Sequence, residues 1–225
     1  MRRLLHYPLC PFSRSVRLVL FEKRLDFSLE FEKFWEKRSG FLKMNPLGHV
    51  PVLIDLNGIT LSDGLAICEY LEEAYPEPRL MGEDLLKKTE VRRLVGWFHR
   101  AFAQDVSLPL CHEKVLKRFF KDGLSSGPNS TSIRIARSHL PFHLDYIGWL
   151  VDRRNWLAGE SFSIADCVAA AHLSVVDFLG DVNWAQHASA QEWYARIKSR
   201  PSFRSLLQDS IPGLVPAPHY TNLDF

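Results

Sequence analysis

The hydrophobic pattern of this chain changes its period near residue 76, and that change limits the folds that the chain can adopt. Up to residue 76, short β-rich runs alternate with helix-like patterns, in the order strand, helix, strand, strand, strand, helix. Beyond residue 76 the apolar residues recur at the three- and four-residue spacing of amphipathic helices. The sequence therefore predicts a mixed α/β unit followed by an all-helical unit.

The first unit contains two helix-like patterns, "SRSVRLVLFEKR" and "DGLAICEYLEEAY", and one clear hairpin. In "SRSVRLVLFEKR", the apolar residues between positions 16 and 20 lie on the predicted buried side, with charged residues opposite. The runs "VPVLID" and "GITLS" flank Leu56, Asn57 and Gly58, a sequence typical of the turn in a β-hairpin. A β-α-β unit that leads into a β-β-α unit is the element order of a thioredoxin-like domain, which we place at residues 1–76.

The second unit consists of strongly patterned helices, and we place it at residues 84–210, followed by an extended tail at 211–225. Apolar residues between positions 91 and 106 form a stripe that, with nearby basic residues, is compatible with a dimer contact. Ser163 and Asp166 have the spacing of a helix capping box in front of an almost wholly apolar segment. We therefore expect that helix at the centre of the core.

Charge and cysteine content argue against several classes of function. A formal net charge of +2 over 225 residues gives no concentrated basic field for a nucleic acid. The four cysteines lie far apart without a CxxC pair, which favours reduced thiols in a cytoplasmic protein. No apolar run is long enough to span a membrane. His139 and His143 share a predicted helix face without a third ligand, so we expect no metal site.

Four motifs together resemble those of a known family. "CPFSRSVR" after the first strand, "NPLGHVPVL", "LSDGLAICEYLEE" and "SIAD" resemble the glutathione transferase superfamily, and the match covers essentially the whole chain. The resemblance implies a glutathione transferase fold, a homodimer, and glutathione as a possible cofactor. It also implies a cis peptide bond between Val50 and Pro51, which turns the Val50 backbone toward the cysteinyl part of glutathione.

A second set of motifs narrows the resemblance. "PLCPFS", "EKFWEKR", "HLDYIGWL", "HLSVVDFLGDV" and "PHYTNLDF" are similar to segments of the FzlA-type glutathione-transferase-like proteins of bacteria. This resemblance implies FtsZ, the tubulin-like filament of cell division, as a partner. We therefore expect a binding protein of the division machinery with weak or absent glutathione chemistry. The alternative is a cytoplasmic glutathione S-transferase or thiol transferase that uses Cys10.

The segment around Cys10 holds the candidates for activating a thiol. The N-terminus of the following helix and the nearby Arg14 and Arg17 favour a Cys10 thiolate. The resemblance adds Ser13 and Tyr7 as catalytic candidates. The alternative is that Cys10 is only a small apolar residue at the turn from strand to helix. Because residues 12 and 13 are not cysteines, the motif offers no resolving thiol for disulfide cycling.

The resemblance assigns glutathione contacts to His49, Val50, Pro51, Asp63 and Gly64. Asp63 suits the α-amino group of the tripeptide, but most family members carry Ser or Thr where this chain has Gly64. The missing hydroxyl costs about 1.5–3 kcal/mol, the value of a hydrogen bond to a charged group. Asp63 is equally well interpreted as a helix cap, and His49 as a polar loop residue.

Two further segments suggest contact with a partner. Trp35 lies among charged residues in "FEKFWEKR", where an exposed indole can anchor an interface; the alternative is packing on its own domain or on a second subunit. In the tail "IPGLVPAPHYTNLDF", three prolines favour extended chain whose first part docks on the fold. Our hypothesis is that Trp35, Asp224 and Phe225 belong to an FtsZ-binding surface.

Overall fold

A mixed four-stranded sheet forms the centre of the N-terminal unit in the computed structural model, which describes residues 1–119 and 127–223. Its strands are β1 (Arg2–His6), β2 (Phe27–Phe31), β3 (Val52–Ile54) and β4 (Thr60–Ser62). Strand β1 pairs in parallel with β2 and antiparallel with β3, so the spatial order is β2-β1-β3-β4. The turn at residues 56–58 joins β3 to β4 as an antiparallel hairpin, which confirms the prediction for this segment.

Three helices complete this unit: α1 (Pro11–Glu22), α2 (Ser39–Met44) and α3 (Gly64–Ala74). Pro11 opens α1, where the missing N–H leaves no helical hydrogen bond unmade. A short 3₁₀ turn, Phe34–Glu36, follows β2 and carries the tryptophan that the sequence singled out. Helix α1 packs against α3 on the sheet. Apart from α2, which lies in the predicted connection before β3, the order of elements is the predicted thioredoxin-like one.

The described residues after β4 form helices and no further sheet strand. A π-helical stretch, Trp97–Ser107, joins the first two helices of the second unit into one long continuous helix. The helices are α4 (Leu85–Gly96), α5 (Leu108–Lys114), α6 (Ser130–Val151), α7 (Ile164–Phe178), α8 (Ala188–Lys198) and α9 (Arg204–Leu207).

The apolar stripe of α4 and the π-helical stretch faces the chain's own core. Its residues are at most 2% exposed: Val91, Leu94, Val95, Phe98, Phe102 and Val106. Side chains that are covered within one chain are not available to a second copy. The apolar residues of this stripe are therefore core residues and give no support to a dimer contact, which stays a prediction.

Helix α7 is the central helix of the core, as the capping box predicted. All of its residues are buried, and both reciprocal hydrogen bonds between Ser163 and Asp166 form at its N-terminus. Helix α7 packs along α1, so that one continuous hydrophobic core joins the sheet to the helical unit. This contact fixes the position of the β1–α1 connection, which carries Cys10.

Candidate functional site

A cavity of about 480 Å³ lies where the two units meet. Its wall is formed by the connection from β1 to α1, the loop before β3, the start of α3, and α5 with the residues after it. Of the residues predicted for catalysis or glutathione contact, those that line the cavity are Tyr7, Cys10, His49, Val50, Pro51, Asp63 and Gly64. Ser13 does not line it, because it is buried in the first turn of α1.

Cys10 immediately precedes α1, and it is the one cysteine of the four that is not fully buried. Its thiol donates to the carbonyl oxygen of Val50, with Sγ and oxygen 3.6 Å apart. Burial raises the pKa of the Cys10 thiol. This effect is larger than the opposite effect of the Ser13 hydroxyl and of the backbone N–H groups of Ser13 and Phe12, which favour the thiolate. Cys10 is therefore mostly a protonated thiol at neutral pH, although the helix N-terminus favours the thiolate, as predicted.

We expect iodoacetamide to modify Cys10 slowly at neutral pH, with a rate that keeps rising above the ordinary thiol pKa of about 8.5. Only the thiolate attacks the reagent, and burial holds the pKa of Cys10 above its usual value. Intact-mass measurement across a pH series gives the rate, and Cys10→Ser controls for modification of the other three cysteines. A half-maximal rate well below the ordinary thiol pKa would contradict this assignment.

Tyr7 lies at the end of β1, where its ring is almost fully buried in the cavity wall. Its hydroxyl has no hydrogen-bond partner among residues 1–119 and 127–223. Burial raises the pKa of Tyr7 above its usual value. A phenol in this environment can donate a hydrogen bond to a ligand in the cavity, but it is a poor source of a tyrosinate base.

The loop before β3 is shaped by a cis peptide bond and a side-chain amide. The Val50–Pro51 bond is cis, as the resemblance implied. Asn45 Nδ2 donates to the carbonyl of His49 at 2.7 Å, which holds the loop against the cavity. Burial and the charge of Lys37 lower the pKa of His49, so its imidazole is neutral at physiological pH.

Asp63 caps helix α3. Its Oδ1 accepts hydrogen bonds from the backbone N–H groups of Leu65 at 2.9 Å and Ala66 at 3.1 Å, which is the helix-cap interpretation of this residue. A Cβ atom on Gly64 would lie 3.3 Å from Cβ of Phe12, so a serine here fits only if Phe12 shifts slightly. Close packing against Phe12 thus fills the space in which most family members carry a serine or threonine hydroxyl.

Sequence reasoning missed the part of the cavity wall that comes from the helical unit. Leu108, Cys111, His112 and Leu116 line the cavity, although they follow Cys10 by about a hundred residues. The Cys111 thiol donates to the carbonyl oxygen of Leu9 at 3.5 Å, and burial raises its pKa to about 12. These residues continue an ordinary amphipathic pattern, so no local signal distinguishes them from core positions.

The described residues contain no cluster of three or more potential metal ligands. Both ring nitrogens of His143 are already engaged, because Nδ1 accepts from Trp97 Nε1 and Nε2 lies 3.1 Å from an Asp105 carboxylate oxygen. Within residues 1–119 and 127–223, no helix is both long enough and apolar enough to cross a membrane.

Trp35 is half-buried and packs on its own chain, while contact with a partner stays a prediction. Its indole stacks on Phe119 of the helical unit, with ring centroids 4.8 Å apart, and meets the Tyr7 ring edge-on at 5.6 Å. The neighbouring Phe31 is 56% exposed. Trp35 therefore bridges the two units and remains partly exposed.

The first part of the tail docks on its own fold. Tyr220 is fully buried, and its hydroxyl accepts a hydrogen bond from Arg14 Nη1 at 3.1 Å. The backbone N–H of Ala217 donates to the carbonyl of Phe178 at the end of α7. Leu223 is 40% exposed, while Asp224 and Phe225 lie outside the described residues.

Comparisons with known proteins agree with this architecture. Residues 9–74 match the family model described as the glutathione S-transferase N-terminal domain. FtsZ-localized protein A of Caulobacter vibrioides is 45% identical over 227 residues, which cover 100% of this chain and 98% of that protein.

Two solved structures extend the likeness to three dimensions. A glutathione S-transferase from Rhodospirillum rubrum is 52% identical, with a TM-score of 0.95 and complete coverage of both chains. FzlA from C. crescentus is 44% identical, with a TM-score of 0.95 over 100% of this chain and 99% of that one. The predicted glutathione transferase fold, a thioredoxin-like unit followed by helices, is thus confirmed. The chain belongs to the glutathione S-transferase superfamily, in the group that contains FtsZ-localized protein A.

Proposed function

We propose that the chain is a cytoplasmic, homodimeric protein that binds the FtsZ filament and has weak or absent glutathione chemistry. Its similarity to FtsZ-localized protein A supports this partner. The observation that carries the proposal is that Trp35 and the docked tail share one apolar cluster. Trp35 packs against the same buried group as Tyr220 and Ile211, so the two segments predicted to contact the partner are joined by one cluster.

Three features of the cavity support weak glutathione chemistry. The Cys10 thiol donates to the Val50 carbonyl, the backbone group that the resemblance assigns to glutathione. The Asp63 carboxylate already accepts two helix N–H groups. Gly64 contributes no hydroxyl, which alone costs about 1.5–3 kcal/mol. Each feature lowers the affinity that we expect the cavity to have for glutathione, either at its amino-acid end or at its cysteinyl part.

A second candidate function is a glutathione S-transferase or thiol transferase. The observation that favours it is that one cavity gathers Cys10, the cis Pro51 and the N-terminus of α3. Tight glutathione binding, with turnover of a mixed disulfide that is lost in Cys10→Ser, would favour this function over filament binding.

We expect Trp35→Ala to weaken binding to FtsZ filaments by about thirtyfold or more, because truncation of a tryptophan anchor costs about 2 kcal/mol or more. Co-sedimentation of the full chain with assembled filaments measures the effect. Trp149→Ala is the matched control, since Trp149 is 50% exposed on α6 and does not line the cavity.

Thermal unfolding of each variant checks that Trp35→Ala still folds, because the indole also packs on Phe119. Asp224→Lys provides a second variant, whose substitution lies at the end of the tail. Filament binding that is unchanged in both Trp35→Ala and Asp224→Lys would refute the proposed surface.

A further inference from the structure

Four aromatic side chains, Phe31, Phe34, Trp35 and Phe119, form a continuous group that we call the aromatic surface. Phe34 lines the cavity and meets Trp35 edge-on, with ring centroids 5.3 Å apart. Trp35 in turn stacks on Phe119 and lies 6.3 Å from the exposed Phe31. The aromatic surface therefore runs from the cavity wall to the outside of the helical unit.

Arg118 is an exposed cation at this surface. Its guanidinium carbon lies 5.3 Å from the centre of the Phe119 ring. Nε donates to the Val115 carbonyl and Nη1 to the Gly213 carbonyl, while Nη2 donates to no atom of residues 1–119 or 127–223. No carboxylate in those ranges pairs with Arg118. A guanidinium held beside a ring, with unused N–H groups, is preorganised to bind a carboxylate.

Lys37 is a second exposed cation, two residues after Trp35. Its ammonium donates to the carbonyl of Gly48 at 3.1 Å, in the loop that borders the cavity. In the described part of the chain it has no carboxylate within ion-pair distance. Lys33 and Arg38 differ from it, because each forms an ion pair with a glutamate of the same segment.

We propose that the aromatic surface binds an acidic segment of a partner protein, whose carboxylates pair with Arg118 and Lys37 while an apolar side chain packs on Trp35. Charge complementarity favours this occupant, because neither cation has an acidic partner among residues 1–119 and 127–223 and both adjoin a partly exposed aromatic group. The inference rests on the proposed function, since it names the chemistry of the segment that this surface takes.

The probe for this inference is a fluorescein-labelled peptide of glutamates with one central phenylalanine, titrated against the full chain at low salt. We expect the peptide to bind, added salt to weaken it, and Arg118→Glu or Lys37→Glu to raise its dissociation constant about tenfold. Arg153→Glu is the matched control, because Arg153 is an exposed arginine 4.5 Å from the Trp149 ring.

Equal binding by the wild type and both charge-reversed variants would overturn the inference, as would equal binding of a lysine peptide with the same phenylalanine. Preference for a single-stranded oligonucleotide over the glutamate peptide would also overturn it, in favour of a nucleic-acid surface.

Competition with FtsZ filaments separates this inference from the proposed function. If the peptide binds through Arg118 and displaces the chain from filaments, the proposed function and the acidic-segment inference are both supported. If the peptide binds but the chain never sediments with filaments, the acidic-segment inference stands and the proposed partner is wrong. If filaments bind and both charge reversals leave that binding unchanged, the partner stands and the acidic-segment inference fails.

Discussion

Replacement of Asp166 by alanine is expected to lower the free energy of unfolding by about 3–5 kcal/mol, because every orphaned buried donor costs about 1–3 kcal/mol. The Asp166 carboxylate is fully buried and accepts four hydrogen bonds of 3.0 Å each. The donors are the backbone N–H groups of Leu157 and Ser163, the Ser163 hydroxyl and Trp193 Nε1. The loss is partly offset, because burial raises the pKa of Asp166 and thus penalises the ionised carboxylate.

Urea unfolding of the full chain measures this effect, and Asp84→Ala provides the control. Asp84 also caps a helix, but it is exposed and accepts one backbone N–H, from Lys87 at 2.9 Å. Its loss should cost about 1 kcal/mol. If Asp166→Ala were no more destabilising than Asp84→Ala, the capping box would be only a local helix signal without a role in joining α7 to its neighbours.

The capping box also shows which parts of the fold the sequence could predict. Ser163 and Asp166 are three residues apart, and their hydrogen bonds close within one turn, so the pattern is visible in a short window. The same holds for the hairpin at residues 56–58, whose Gly58 has a φ of +79° that a glycine tolerates. Local hydrogen bonding and periodicity were sufficient for the element order, whereas the resemblance supplied the glutathione transferase fold.

The chemistry of Cys10 depends instead on residues that are distant in sequence. The carbonyl that accepts its thiol proton belongs to Val50, and the wall that buries it includes Cys111 and Leu116. A helix N-terminus predicts a thiolate, but desolvation by these remote groups has the larger effect. Burial of this kind is a property of the assembled fold, so the local motif could not predict the direction of the pKa shift.

Arg14 is another residue whose role the sequence could not show. Four residues after Cys10, it was interpreted as a charge that favours the thiolate, and its charge does lower the pKa of Cys10, although burial has the larger effect. Its guanidinium is also fully buried at the junction of both units. It donates to the carbonyl of Pro8 at 2.6 Å, to Ser174 Oγ at 2.7 Å and to Asp209 at 3.0 Å. These partners, together with Tyr220, make Arg14 the side chain that ties the tail to α1 and α7.

We expect Arg14→Met to lower the free energy of unfolding by about 3–5 kcal/mol, because it leaves a buried acid and several acceptors with fewer partners. It should also increase hydrogen exchange in the tail around Tyr220, which loses the donor to its hydroxyl. Arg17→Met is the control: Arg17 pairs with the same Asp209 carboxylate but has no hydrogen bond to Tyr220 among the described contacts. Equal tail exchange in the two variants would show that general destabilisation, not the Arg14 contact, governs docking.

If docking also presents the end of the tail to the filament, Arg14→Met should lose FtsZ binding although Trp35 is intact, whereas Arg17→Met should retain it.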